Sequence, residues 1–213
     1  MKNILLGLFI CCLLASPTAL LAQQSPQLLI QGAMTECQAG RVAQDRTSRV
    51  GHFEKGQILG EQAVTLDDRS ADAHFALFCN LGELMRIDGE LSITSVMGFR
   101  RMMKELDRTL ELAPEHLDAL SAKGTFLIRL PSLLGGDREK GEKLLKYVLQ
   151  KGPQAVNARL SLATSYCANG RHSEALLLAS EALDIAQAQR MDDFTPEAVR
   201  VLAQLKANAA KAN

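Results

Sequence analysis

A spacing of 34 residues recurs through the C-terminal half of this chain. Gly136 and Gly170 are 34 apart, and so are Gly141 and Ala175, and Val148 and Ala182. A period of about 34 accommodates two helices and their turns. Such a unit leaves an apolar face that only a neighbouring unit can cover, so the chain is expected to stack helical hairpins into an array.

The unit is clearest from Val156 onward. Leu162, Ala163 and Tyr166 share one face of a first helix, Gly170 makes the turn, and Ala175, Ala179 and Ala182 recur on a second helix beside Leu183. Small residues there let two helices approach closely. The order of a large–small pair, an aromatic, a turn glycine and spaced alanines resembles the tetratricopeptide (TPR) consensus. The preceding unit starts near Leu117, with Leu120, Gly124 and Leu127 on its first helix. Gly136, Gly141, Leu145 and Val148 mark its turn and second helix, and Pro153 closes it. Its turn carries five extra residues, 131–135, before Asp137 as N-cap. The unit before that starts near Phe75 and holds Phe78, Leu81, Gly82 and Met85, with a second helix over 96–112. Gly82 to Gly124 is 42 residues, eight beyond the period, which places an insertion at 88–94, beside Met97, Met102 and Met103.

A first, degenerate unit has its first helix over 27–44, with Gly51, Gly56, Gly60 and Ala63 near its turn and second helix. Its glycines make it the least stable unit. At the other end, Thr195 before Pro196 reads as a cap-then-proline start. The predicted fold is all-α: a right-handed superhelical TPR-like solenoid of about four helix–turn–helix units plus a C-terminal capping helix. The segments are a leader at 1–22, the degenerate hairpin at 23–70, three repeats at 71–190, the capping helix at 191–207 and a frayed tail at 208–213.

Residues 3–35 carry no charge. Lys2, the apolar run 4–14, the breaker Pro17 and Ala22 have the layout of a secretory signal peptide. The expected location is the periplasm. The alternative is an uncleaved anchor facing the periplasm, the only reading in which the chain engages a membrane. Without the leader, 23 basic residues face 24 acidic ones, a balance that excludes the basic excess of a nucleic-acid binder.

No chemistry-bearing pattern emerges. The histidines His52, His74, His116 and His172 have no His or Cys partner at helical spacing, so no metal site is expected. His116 and His172 read as solvated, and carboxylates as single, solvated groups on helix faces. Cys37, Cys79 and Cys167 form no CxxC, and read as small apolar fillers; a Cys37–Cys79 disulfide is an open alternative. No nucleophile is framed by a catalytic motif. No enzyme activity and no cofactor are expected.

The region 72–205 resembles two groups of TPR proteins. Ala73-His74-Phe75, the helix ending at Pro114, and Gly124 with Leu130-Pro131 resemble the regulator of microtubule dynamics family and its bacterial relatives. Leu133 to Asp137 with Leu144 and Leu145 resembles the periplasmic TPR component associated with tripartite ATP-independent (TRAP) transporters. The resemblance implies an interaction module that binds a protein or peptide of the cell envelope on its concave face. Mapping repeat positions onto that face gives Glu83, Arg86, Asp118, Ser121, Thr125, Ile128, Arg129, Asn157, Leu160 and Thr164. Arg86 and Arg129 are the expected anchors, because a guanidinium grips a carboxylate bidentately. The transporter resemblance implies a different role, holding a small ligand or docking a solute-binding protein. Self-association through the glycine-rich first repeat is a third reading.

Overall fold

The computed structural model describes residues 25–88 and 93–212; the expected leader and the middle of the expected insertion lie outside them. Among the described residues there are nine α-helices. They are α1 Pro26–Val42, α2 Arg46–Leu66, α3 Ala71–Asp88, α4 Ile93–Leu112, α5 Leu117–Arg129, α6 Arg138–Lys151, α7 Val156–Ala168, α8 His172–Ala188 and α9 Thr195–Ala212. Each odd-numbered helix up to α7 pairs with its successor, and α9 covers the end by packing on α8 and α7. No described helix is long and apolar enough to cross a membrane.

Local chemistry sets the starts. Ser25 Oγ accepts from the Leu28 amide at 3.3 Å ahead of Pro26, and Asp45 Oδ1 accepts from the Ser48 amide at 2.9 Å. Asp137 caps α6 as expected, accepting from the Lys140 amide at 3.0 Å. Each cap satisfies an amide that the first helical turn leaves without a partner. Gly170 turns the chain between α7 and α8 at φ 76°, where a side chain would be strained. Thr195 departs from its expected role. Its hydroxyl donates to the Met191 carbonyl at 3.0 Å, so it ties α9 back to the preceding turn rather than capping it. Helix α9 also continues to Ala212, through most of the expected frayed tail.

Close packing rests on small residues. Ala175, Ala179, Ala182 and Ala186 recur at helical spacing on α8, and all four are fully buried. In the first hairpin Gly56, Gly60 and Ala63 take the buried small positions expected of its second helix, while Gly51 lies inside α2 rather than at a turn. A Cβ on Gly60 would lie 2.9 Å from the Leu77 Cα, and one on Gly56 would lie 2.0 Å from Asn80 Oδ1. These glycines weaken α2 as an isolated helix, but they are what lets α3 lie against it. Leu106, Leu145 and Val148 are fully buried at the centre of the stack, and Met102 is 2% exposed, while Met97 faces outward.

The direction of curvature follows from which helices touch. The first helices of successive hairpins pack on one another, α1 on α3, α5 on α7, and α7 on α9. Among the described residues, successive second helices α2, α4, α6 and α8 do not pack in this way, though Arg101 of α4 pairs with Glu61 of α2. The first-helix row is therefore the shorter, inner row, and the array is concave on that side. Between α3 and α5 the inner row is joined through rings, with Phe75 against His116 at 4.6 Å and Phe78 against Phe126 at 6.2 Å between centroids.

Candidate functional site

The inner row carries two polar assemblies. The first lies at the ends of the array. Arg41 near the end of α1 donates from Nε to Glu83 Oε1 at 2.7 Å and from Nη1 to Asp193 Oδ2 at 3.3 Å. Its guanidinium also lies over the Phe194 ring, 5.2 Å from the centroid. Arg86 Nη1 shares Glu83 Oε1 at 3.4 Å, and its Nη2 reaches Glu197 at 4.0 Å. The start of α9 thus clasps α1 and α3 across the inner side. Glu83 is only 4% exposed, and a carboxylate so covered requires cationic partners. Burial acts against the Arg41 charge, but the neighbouring Cys37, Cys79 and Glu83 groups outweigh it and raise the guanidinium pKa.

The second assembly joins α5 to α7. Thr125 Oγ1 lies 2.7 Å from Ser161 Oγ, Thr125 Oγ1 donates to the Ser121 carbonyl at 2.9 Å, and Asn157 Nδ2 donates to Ser121 Oγ at 3.3 Å. The links from Thr125 to Ser161 and from Asn157 to Ser121 each span one repeat, so the two helices are registered by polar side chains as well as by packing. Ser121 and Ser161 are both 4% exposed and have partners, as buried hydroxyls require.

Of the ten residues expected on the concave face, the structure divides the set. Glu83 and Arg86 meet in the clasp. Ser121, Thr125 and Asn157 meet in the hydroxyl ladder. Leu160 is 3% exposed, inside the core, and Ile128 packs against the same core beside Gly141. Asp118, Arg129 and Thr164 are exposed, and no ion pair joins Asp118 to Arg129. Sequence reasoning missed Arg41, Asp193 and Phe194. A pair separated by 152 positions leaves no local spacing to read.

Two further expectations change. His116 is not a free surface histidine: its Nδ1 accepts from the Ala119 amide at 3.3 Å, and its ring stacks near Phe75. Carboxylates are not all solvated singly either, since Glu105 Oε2 sits 2.6 Å from Nδ1 of the buried His74. A cleft of about 470 Å³ opens where α7, α8 and α9 meet, lined by Thr164, Cys167, His172, Val201, Leu205 and Asn208 among others. Within it Cys167 Sγ lies 3.7 Å from His172 Nδ1 and 3.8 Å from Asn208 Nδ2.

No protein-family profile matches the chain. No curated protein matches it either. Among solved structures it is similar to TTC0263, a thermophilic TPR protein of Thermus thermophilus. The TM-score is 0.59 at 20% identity, over 88% of this chain and 82% of that one. It is also matched to YrrB, described as a TPR protein with an unusual peptide-binding site, at a TM-score of 0.35 and 15% identity, over 82% of this chain and 93% of that one. The helical hairpins, their small-residue seams and the first of these likenesses together establish that the chain has the TPR fold.

Proposed function

We propose that this chain is an exported interaction module that holds a segment of a partner protein, or a peptide, against the inner faces of α5 and α7, without catalysis. The observation that carries this reading is the contrast along the inner row. Glu83 and Arg86 are engaged by the clasp, whereas Asp118, Arg129 and Thr164 stay exposed beside a rigid row of hydroxyl and amide groups. A preorganised polar surface that presents the Arg129 guanidinium suits an extended segment carrying a carboxylate. The apolar start of the chain supports a periplasmic partner, and the balanced charge argues against nucleic acid.

The test is site-specific photocrosslinking in the native envelope. A crosslinker at Arg129 or Thr164 should capture a discrete partner, and one at Lys143 or Gln150 on the outer helix α6 should not. Capture from the outer helix alone would contradict the reading.

A second reading rests on the cleft between α7, α8 and α9, whose volume suits a small molecule. In that reading the chain serves a solute transport system, as the TRAP-associated resemblance implies. A ligand that raises the melting temperature of the wild type, but not of Leu205→Trp, would favour it.

A further inference from the structure

We propose that Cys37 and Cys79 are a disulfide-forming pair that staples α1 to α3 directly beneath the clasp. The two helices meet in a fixed register. Asn80 Nδ2 donates to the Ala33 carbonyl at 3.0 Å, and Arg41 Nε donates to Glu83 Oε1 at 2.7 Å. Cys37 lies one turn after Ala33 and one turn before Arg41. Cys79 precedes Asn80 and lies one turn before Glu83. The same two bonds hold α1 against α3, and the buried cluster there contains both cysteines. Both are buried in that one core cluster, and both are free thiols here. Cys167 belongs to α7 and faces His172, so the pairing has one solution among the described cysteines.

The local chemistry assigns the order of steps. The neighbouring Cys79 lowers the Cys37 pKa, helped by the Arg41 charge and opposed by burial. The neighbouring Cys37, with burial, raises the Cys79 pKa. Cys37 is thus the attacking thiolate. It displaces one thiolate from a disulfide donor such as glutathione disulfide, giving a mixed disulfide. Cys79 then loses its proton and attacks the Cys37 sulfur, expelling the second donor thiolate. The donor gains two electrons and takes up the two protons as two thiols. Cys37 and Cys79 are 1% and 8% exposed, so exchange occurs before α1 closes on α3 or when the first hairpin opens. Once formed, the bond holds Arg41 and Glu83 in place, and with them the contact to Asp193.

The experiment equilibrates the full chain with glutathione disulfide, alkylates the remaining thiols and maps the peptides with and without reduction. The expected result is a linked peptide pair containing Cys37 and Cys79, with Cys167 alkylated. The oxidised chain should melt roughly 5–10 °C above the same chain in dithiothreitol. The reduced wild type is the comparator, and C37S/C79S should show no reductant-dependent shift. Alkylation of both Cys37 and Cys79 after equilibration, or separate glutathione adducts on them, would overturn the pairing. An oxidised chain that melts no higher than the reduced one would overturn the stapling role.

Discussion

Arg41 and Asp193 form an ion pair at 3.3 Å although 152 positions separate them, and Arg41 also holds the buried Glu83 at 2.7 Å. The two contacts differ in consequence. Arg41→Met strips Glu83 of its nearest cation and leaves a covered carboxylate, so we expect a loss of about 3 kcal/mol in urea unfolding. Asp193→Asn removes only the outer contact and should cost about 1 kcal/mol or less. Equal losses for the two variants would show that Glu83 does not depend on Arg41.

Gly56 tests the packing of the first hairpin against α3. A Cβ there would stand 2.0 Å from Asn80 Oδ1, and Asn80 is fully buried with its amide tied to the Ala33 and Ala76 carbonyls. Alanine is the better helix former, yet Gly56→Ala should destabilise by about 2 kcal/mol because the overpacked amide cannot move freely. Gly51→Ala, where a Cβ meets nothing within 4 Å, should instead stabilise by up to about 1 kcal/mol. Thermal melts of the two variants, shifting in opposite directions, check this.

The hydroxyl ladder between α5 and α7 predicts a smaller effect. Thr125→Val keeps the shape and removes the bond to Ser161 at 2.7 Å. A loss of about 1 kcal/mol is expected, with faster amide exchange confined to α5 and α7.

Acid should act on the first hairpin through Glu36. Burial opposes its carboxylate, but the hydrogen bond with His52 at 2.7 Å and the contact with Lys55 prevail and hold its pKa below the usual value of 4.5. A depressed pKa adds stability above the unfolded-state value, and that stability is lost as the pH falls through the folded-state value. Glu36→Gln should therefore destabilise at pH 7 by roughly 0.5–1 kcal/mol, and the gap should close at an acid pH below the folded-state pKa. Urea midpoints at the two pH values measure it; a gap that widens in acid would contradict the assignment.

The architecture was legible because its determinants are local and periodic. Gly170, Ala175, Ala179 and Ala182 announce a turn and a close seam within a single unit, and the structure uses each in that way. Gly56 and Gly60 were legible as small positions of the second helix, but the partners that require them were not: Asn80 and Leu77 of α3 occupy the space a side chain would need. The inner face was legible by position but not by state. Periodicity puts Glu83 and Arg129 on the same face, while Arg41 covers the first and the second stays exposed. That difference depends on superhelical closure onto Asp193 and Phe194, which no spacing encodes.

Whether a partner is held on the inner side of α5 and α7 is tested most directly by crosslinking from position 129 in cells. The measurement is repeated with Asp118→Lys, after circular dichroism shows the variant folded. A discrete crosslinked partner is expected that is lost or strongly reduced in the variant, with none from position 150. The same partner captured in equal yield from positions 129 and 150, and unaffected by Asp118→Lys, would contradict the inner-face assignment.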